Sequence, residues 1–169
     1  NKDIIIISSS CEDLAWALKE CGYRIFSISL YQSSKLKKIC EKCFLIESFD
    51  QEFIYKIIEK IDPLRKKKVL IGSGIAERIS DYDFISNRKN LGNNIETLKK
   101  INSVERLYKT FENKNIPHPQ LSLSLPKKKS DWLFKDTRSV GGILVKKLDE
   151  NFKKKFIKKN TFFQKIIEG

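Results

Sequence analysis

Methionine is absent from this 169-residue chain, histidine occurs once, and glycine and proline number only 7 and 4. The single His118 and four cysteines, at positions 11, 21, 40 and 43, leave few ways to build a metal centre. Cys40-Glu41-Lys42-Cys43 has the spacing of a metal knuckle or a redox pair. A four-ligand zinc site wants a second pair, however, and His118 is distant in sequence. Cys43 opens the apolar run Cys43-Phe44-Leu45-Ile46 and reads equally as a small buried residue. A structural role for the cysteines is the preferred reading, and disulfides are not expected in a reducing cytoplasm. Long apolar runs are also missing. The longest stretch of one apolar type is Ile4 to Ile7, against the roughly 20 residues of a membrane span. No N-terminal segment combines a basic region, an apolar core and a small-residue cleavage site. A soluble, cytoplasmic protein with no membrane partner is the expectation.

Acidic residues are the remaining shortage: 34 Lys and Arg face 21 Asp and Glu, a net charge of +13. A basic face is the usual footprint of phosphate binding. The lysines nevertheless run along the whole sequence, with clusters at Lys66–Lys68, Lys127–Lys129, Lys153–Lys155 and Lys158–Lys159. Richness in Lys, Ile and Asn with few Gly or Pro is what an AT-rich genome imposes on any fold, so nucleic acid is not the expected partner. A non-catalytic nucleotide- or ligand-binding α/β protein, and after it a basic nucleic-acid-binding protein, are the alternatives to an enzyme. With 40% hydrophobic residues the chain can bury a real core, and its length suits one large domain or a domain plus part of another.

Asp3 to Ile7 is a continuous β-branched run, as in a strand buried on both faces of a parallel sheet. Leu14, Ala15, Leu18 and Cys21 share one face of a helix that Gly22 terminates. Arg24 to Leu30 reads as the second strand, Ser34 to Ile39 as a short helix and Phe44 to Ile46 as the third strand. Asp50 caps a helix with Phe53, Ile54, Ile57, Ile58 and Ile61 at helical spacing, which Asp62-Pro63 ends. Lys68 to Ile71 is a fourth strand. Strands alternating with amphipathic helices predict an α/β unit with a Rossmann-like parallel sheet over residues 1–90. Gly72-Ser73-Gly74 follows the fourth strand and reads either as a backbone approach to a ligand or as a tight turn.

Residues 91–120 read as a helical linker. Asn93 with Glu96, and Asn102 with Glu105, have the spacing of capping boxes, and Val104, Leu107, Tyr108 and Phe111 line one face of the second helix. Asn115-Ile116-Pro117-His118-Pro119 is a stiff connector, which makes His118 a surface or packing residue. Residues 121–169 read as a small α+β lobe. Leu121 to Leu125 alternates as a half-buried strand, and Asp131 to Lys135 is a strand ending on a lysine. Gly141-Gly142 is a hairpin before the apolar Ile143-Leu144-Val145, and Thr161 to Ile167 is a last strand.

The order of these pieces from Leu91 onward resembles the first half of an ATP-grasp domain, and the front end is similar to a preATP-grasp domain. The helix around Arg106 leads through the Ile-Pro-His-Pro segment into Trp132-Leu133-Phe134-Lys135, the glycine hairpin and Phe163 to Gly169. Ile71 to Ile75, Glu77-Arg78 and Leu91 to Asn94 resemble the matching parts of predicted carboxylate–amine ligases. The resemblance implies that ATP activates a small carboxylate as an acyl phosphate, which an amine then attacks. It implies that Lys135 reaches the α/β-phosphates and that Gly141 and Gly142 cover them. Gln164, Lys165 and Ile167 would border the adenine. Arg106 stands where the family usually has another phosphate-contacting lysine, and Gln164 where an acidic residue is frequent. The hairpin carries Arg138-Ser139-Val140 in place of further glycines. The second lobe, with the acidic residues that hold Mg2+, would follow Gly169. The resemblance therefore implies ATP as the ligand, no metal held by these residues alone, and a longer polypeptide, an oligomer or a complementing chain to finish the site.

Overall fold

The computed structural model describes residues 2–78, 81–137, 142–152, 154–158 and 160–167. It divides into two units, residues 1–98 and 99–169.

Unit 1 is built on a four-stranded parallel sheet in the order β3-β2-β1-β4. β1 (Asp3–Ser10) is central, between β2 (Arg24–Tyr31) and β4 (Lys68–Ile71), and β3 (Lys42–Leu45) is the edge beyond β2. Ile4 to Ile7 are all inaccessible to solvent, and their alternation splits them between two cores. Ile5 and Ile7 pack with Phe26, Ile28 and Val69 against Ile54 and Ile58 of α3 (Gln51–Ile61). Ile4 and Ile6 pack against Ala15 of α1 (Glu12–Glu20) and Leu36 of α2 (Ser34–Ile39). Helices thus cover both faces, which is why β1 can be continuously apolar. Each buried isoleucine contributes roughly 1.5–3 kcal/mol.

Local chemistry sets the ends of these elements. The Phe53 amide donates to Asp50 Oδ1 at 2.8 Å, capping α3. Gly22 follows α1 at φ +74°, the left-handed turn that ends a helix. Beyond α3, Asp62 is 3% exposed and accepts from the Lys66 and Lys67 amides and, at 2.8 Å, from Nε of the fully buried Arg88. Arg88 also reaches Glu59 at 3.0 Å. At the start of β1, Asp3 pairs with Arg24 at 2.8 Å and with Lys67 at 3.0 Å.

α4 (Ile95–Asn102) takes its cap from Asn94, whose Oδ1 accepts the Thr97 amide, one residue later than the Asn93 expected from spacing. α5 (Val104–Asn113) is capped by Ser103 and not by Asn102, which is the last residue of α4. Unit 2 then forms an antiparallel sheet, β5-β8-β6-β7, from β5 (Leu121–Ser122), β6 (Trp132–Asp136), β7 (Lys146–Lys147) and β8 (Thr161–Lys165). β5 is shorter than the alternation of Leu121 to Leu125 suggests. Ser122 Oγ donates to the Ser124 carbonyl at 2.6 Å and turns the chain off the sheet. Ile143-Leu144-Val145 forms a turn closed by the Val145 amide on the Gly142 carbonyl, and the strand paired with β6 is Lys146–Lys147. Phe134, Phe163 and Leu148 form the core of this unit, with Trp132, Phe152 and Ile157 packed around them.

Candidate functional site

The register of unit 2 decides which side chains can meet. Phe134 is paired with Phe163, Leu133 with Gln164 and Lys135 with Phe162. Side chains alternate along each strand, so Phe134 and Phe163 enter the core while Leu133, Lys135, Phe162 and Gln164 share the opposite face. On that face Lys135 Nζ donates a hydrogen bond to Gln164 Oε1. Leu121 of β5 pairs with Gln164 from the other side.

α5 supplies a third member. The Tyr108 hydroxyl faces the Gln164 side chain; burial raises its pKa above the usual phenol value and outweighs the lowering influence of Gln164. The Tyr108 ring meets His118 edge-on at 5.0 Å, and Phe111 lies 5.5 Å from the same imidazole. His118 Nδ1 donates to the Ile116 carbonyl at 2.7 Å, which fixes the tautomer. His118 is therefore a packing residue of the connector. Glu105, Tyr108, Lys109, Glu112, His118, Gln120, Leu121 and Leu123 line an open groove of about 700 Å³ here.

The structure brings together Lys135 and Gln164, and adds Tyr108. Arg106 is exposed and stands two residues from Tyr108 on α5, so it points to another side of the helix. Lys165 is exposed on the sheet face opposite Gln164, beside its register partner Trp132. Ile167 lies past the end of β8 and is exposed. Gly142 adopts φ +75°, where a side chain would be strained, although a Cβ there meets nothing closer than Val145 Cγ2 at 4.0 Å. Gly141, Arg138, Ser139, Val140, Glu168 and Gly169 lie outside the described residues. Tyr108 carried one usable sign in the sequence, a hydroxyl on an otherwise apolar helix face, because a half-buried tyrosine usually finds a partner for its O–H.

The glycines after β4 answer to packing. A Cβ on Gly72 would lie 2.6 Å from Ser8 Oγ, and one on Gly74 1.6 Å from Ser9 Oγ. Their amides are already used: Gly72 donates to the Ile7 carbonyl at 2.8 Å and Gly74 to Glu77 Oε2 at 2.7 Å. The loop is a tight turn that leaves β4 and packs against the end of β1, and it has neither of these N–H groups left for a phosphate.

Cys11 and Cys40 are buried, Cys43 is half-buried, and all four cysteines are free thiols. Burial pushes the Cys40 thiol up to about 11 and the Cys11 thiol up to about 12, away from the thiolate that metal binding or redox exchange needs. Among the described residues no three His, Cys, Asp or Glu side chains converge to hold a metal ion. Among them, too, no helix is long and apolar enough to cross a membrane.

No protein-family model matches the chain, and no curated protein matches its sequence. Solved structures do match. N5-carboxyaminoimidazole ribonucleotide synthetase from Thermotoga maritima superposes with a TM-score of 0.62 at 17% identity, over 99% of this chain and 46% of that one. L-amino acid ligase from Bacillus licheniformis gives 0.64 at 14% identity, over 100% of this chain and 45% of that one. N5-carboxyaminoimidazole synthetase from Staphylococcus aureus, complexed with ADP, gives 0.65 at 10% identity, over 96% and 46%. The chain thus spans less than half the length of these structures. This chain therefore shares the fold of part of these synthetases and ligases, a mixed α/β fold with a parallel sheet followed by an antiparallel one.

Proposed function

We propose that this chain is the nucleotide-holding part of an ATP-dependent ligase that joins a small carboxylate to an amine. The observation that carries the proposal is the Lys135–Gln164 pair. It sets an ammonium beside an amide on one face of an antiparallel sheet, in a fold shared with a synthetase solved with ADP. Both groups suit a nucleotide. An ammonium is a compact point charge for phosphate oxygens, and an amide can both accept from and donate to an adenine edge.

In this reading Lys135 holds the α/β-phosphates and Gly142, with Gly141, forms the hairpin that lies over them and excludes water. Gln164 bonds the adenine, and the backbone of Lys165 together with Ile167 continues the adenine-facing edge. Tyr108 stands beside Gln164 on this face, and Arg106, on another side of α5, is the further cation that the resemblance assigns to phosphate. The reaction transfers the γ-phosphoryl group to a carboxylate oxygen, releasing ADP. The amine then attacks the acyl carbon, phosphate leaves and one proton is lost. Mg2+ neutralises phosphate charge in such transfers. In this reading its carboxylate ligands are supplied from outside these residues.

The test is calorimetric titration of ATP into the chain, with and without Mg2+. Lys135→Ala should weaken binding roughly 10- to 100-fold, the usual worth of a charge-assisted hydrogen bond. Unchanged binding in Lys135→Ala overturns the assignment of this face.

A further inference from the structure

The lysines are spread along the sequence, but the net charge is not. Unit 1 carries 16 Lys and Arg against 14 Asp and Glu, a net +2. Unit 2 carries 18 against 7, a net +11 of the whole +13. A compositional bias toward lysine loads both units alike and does not account for this asymmetry. A charge difference of this size between two halves of a chain is an electrostatic footprint.

Part of that charge surrounds a groove of about 560 Å³ on the Phe134 side of the sheet, the side opposite Lys135 and Gln164. Its floor is aromatic. Phe134 lies 5.1 Å from Phe152, and Phe152 lies 6.0 Å from Phe156, which is 45% exposed. Its rim holds Lys146, Lys147, Lys155 and Lys158 against Asp136 and Asp149. Lys146 and Lys155 place their Nζ atoms 5.5 and 5.7 Å from the centre of the Phe156 ring. Two like charges are therefore gathered about one exposed ring, and among the described residues none of the four lysines forms a salt bridge. An anion beside each ammonium and a flat apolar group against the ring would complete this arrangement.

We propose that this groove binds single-stranded nucleic acid, with Lys146, Lys155 and Lys158 on successive phosphates and a base stacked at Phe156. A chain in which phosphates alternate with planar bases matches cations spaced around an exposed aromatic, and stacking on such a ring is tolerant of base identity. The site is separate from the proposed ATP face and does not depend on it.

The test is fluorescence anisotropy of a labelled single-stranded oligonucleotide of about 15 nucleotides, a length within reach of such sites, titrated with the whole chain across a salt series. The proposal expects saturable binding whose logarithm falls linearly with log salt. Lys155→Gln with Lys158→Gln should weaken it at least tenfold and reduce the salt slope by about 1.4, two single-strand phosphates' worth. Phe156→Ala should weaken binding while leaving the slope unchanged. Lys135→Ala and saturating ATP should leave binding unaltered, whatever the fate of the ATP assignment. Three results overturn the proposal. One is no binding at low salt, and another is displacement of the oligonucleotide by ATP. The third is equal loss on neutralising Lys127, Lys128 and Lys129, which would mean diffuse charge. Binding of phosphatidylserine vesicles in place of the oligonucleotide, with loss in the Lys155 and Lys158 variant, would reassign the groove to a membrane surface. Melting curves of each variant confirm that these exposed substitutions leave the fold intact.

Discussion

Lys135 and Gln164 are bonded across β6 and β8 although neither is the other's register partner; Lys135 stands opposite Phe162 and Gln164 opposite Leu133. The contact is diagonal, one pleat apart on the same face, which only a long side chain can bridge. Gln164→Ala removes the acceptor and leaves Lys135 free to move. The expected outcome is a roughly 3- to 10-fold loss of ATP affinity, since the neutral hydrogen bond proposed from Gln164 to the adenine is worth about 1 kcal/mol. Gln164→Glu keeps the acceptor and adds charge, so it should hold Lys135 more firmly and weaken its grip on phosphate. Titration of ATP against both variants checks the pair, and a Gln164→Glu variant that binds ATP more tightly sinks this account of Lys135.

Tyr108 is the part of the site that a sequence hides best. Tyr108→Phe keeps the ring on Phe111 and His118 and deletes only the hydroxyl that faces Gln164. It should weaken ATP binding through the loss of the hydroxyl beside Gln164, with a stability loss below about 1 kcal/mol. The hydroxyl also has a pH signature. Burial raises its folded pKa, so the stability it contributes is intact below the ordinary phenol value of about 10 and is lost as pH rises above that value. Chemical denaturation at pH 8 and pH 11 should show a fall in the natural chain that is smaller in Tyr108→Phe.

The acid limb belongs to unit 1. The Arg24 guanidinium beside Asp3 outweighs the opposing effect of burial, with Lys67 adding to it, and holds the carboxyl below its usual range. For Asp62, burial pushes upward but Arg88 and the Lys66 and Lys67 amides outweigh it, so this carboxyl too is lowered. A lowered folded pKa gives stability that is present above the ordinary value of about 4 and lost as pH falls through the folded value. Acid unfolding should therefore set in below about pH 4, and Asp3→Asn should flatten it. Arg88→Leu leaves Asp62 buried without its cation and should destabilise unit 1 by about 3–5 kcal/mol at pH 7. Urea unfolding of unit 1 at pH 7 measures this, and a loss below 1 kcal/mol contradicts the buried pairing.

Unit 1 is largely legible in the sequence because its signals are local. Four consecutive isoleucines demand two covered faces, Asp50 and Gly22 mark helix ends, and the β4 run is bounded by lysines and glycine. Where competing local signals lie one residue apart, spacing alone misleads: Ser103 caps α5 beside the better-spaced Asn102, because Asn102 is already helical. Unit 2 depends on register, which no local pattern contains. Alternation from Leu121 to Leu125 says strand, yet β8 pairs only with Leu121 and Ser122 before Ser122 turns the chain. Lys135 and Gln164 are visible as polar residues on strands, but their meeting across a diagonal is a property of the folded sheet. Tyr108 reads as one more apolar residue of an amphipathic helix until its partner is in place.

The C-x-x-C pair gives the last prediction, because its two readings differ in reactivity. A redox or metal pair needs thiolates within reach of solvent. Here Cys40 is buried with its thiol pushed up to about 11, and Cys43 Sγ lies 3.8 Å from the Leu36 carbonyl. Cys11 is buried between the Ile6 and Ile28 carbonyls, with its thiol at about 12. Only Cys21 is exposed. Iodoacetamide at pH 8 should therefore modify Cys21 quickly and Cys43 more slowly, and reach Cys11 and Cys40 only once urea unfolds unit 1. Mass spectrometry of the native protein over time reads this order directly. Zinc added beforehand should change none of these rates, since a structural thiol has no metal to release. Protection of Cys40 and Cys43 by zinc would instead make the pair a ligand set and overturn its assignment to the core.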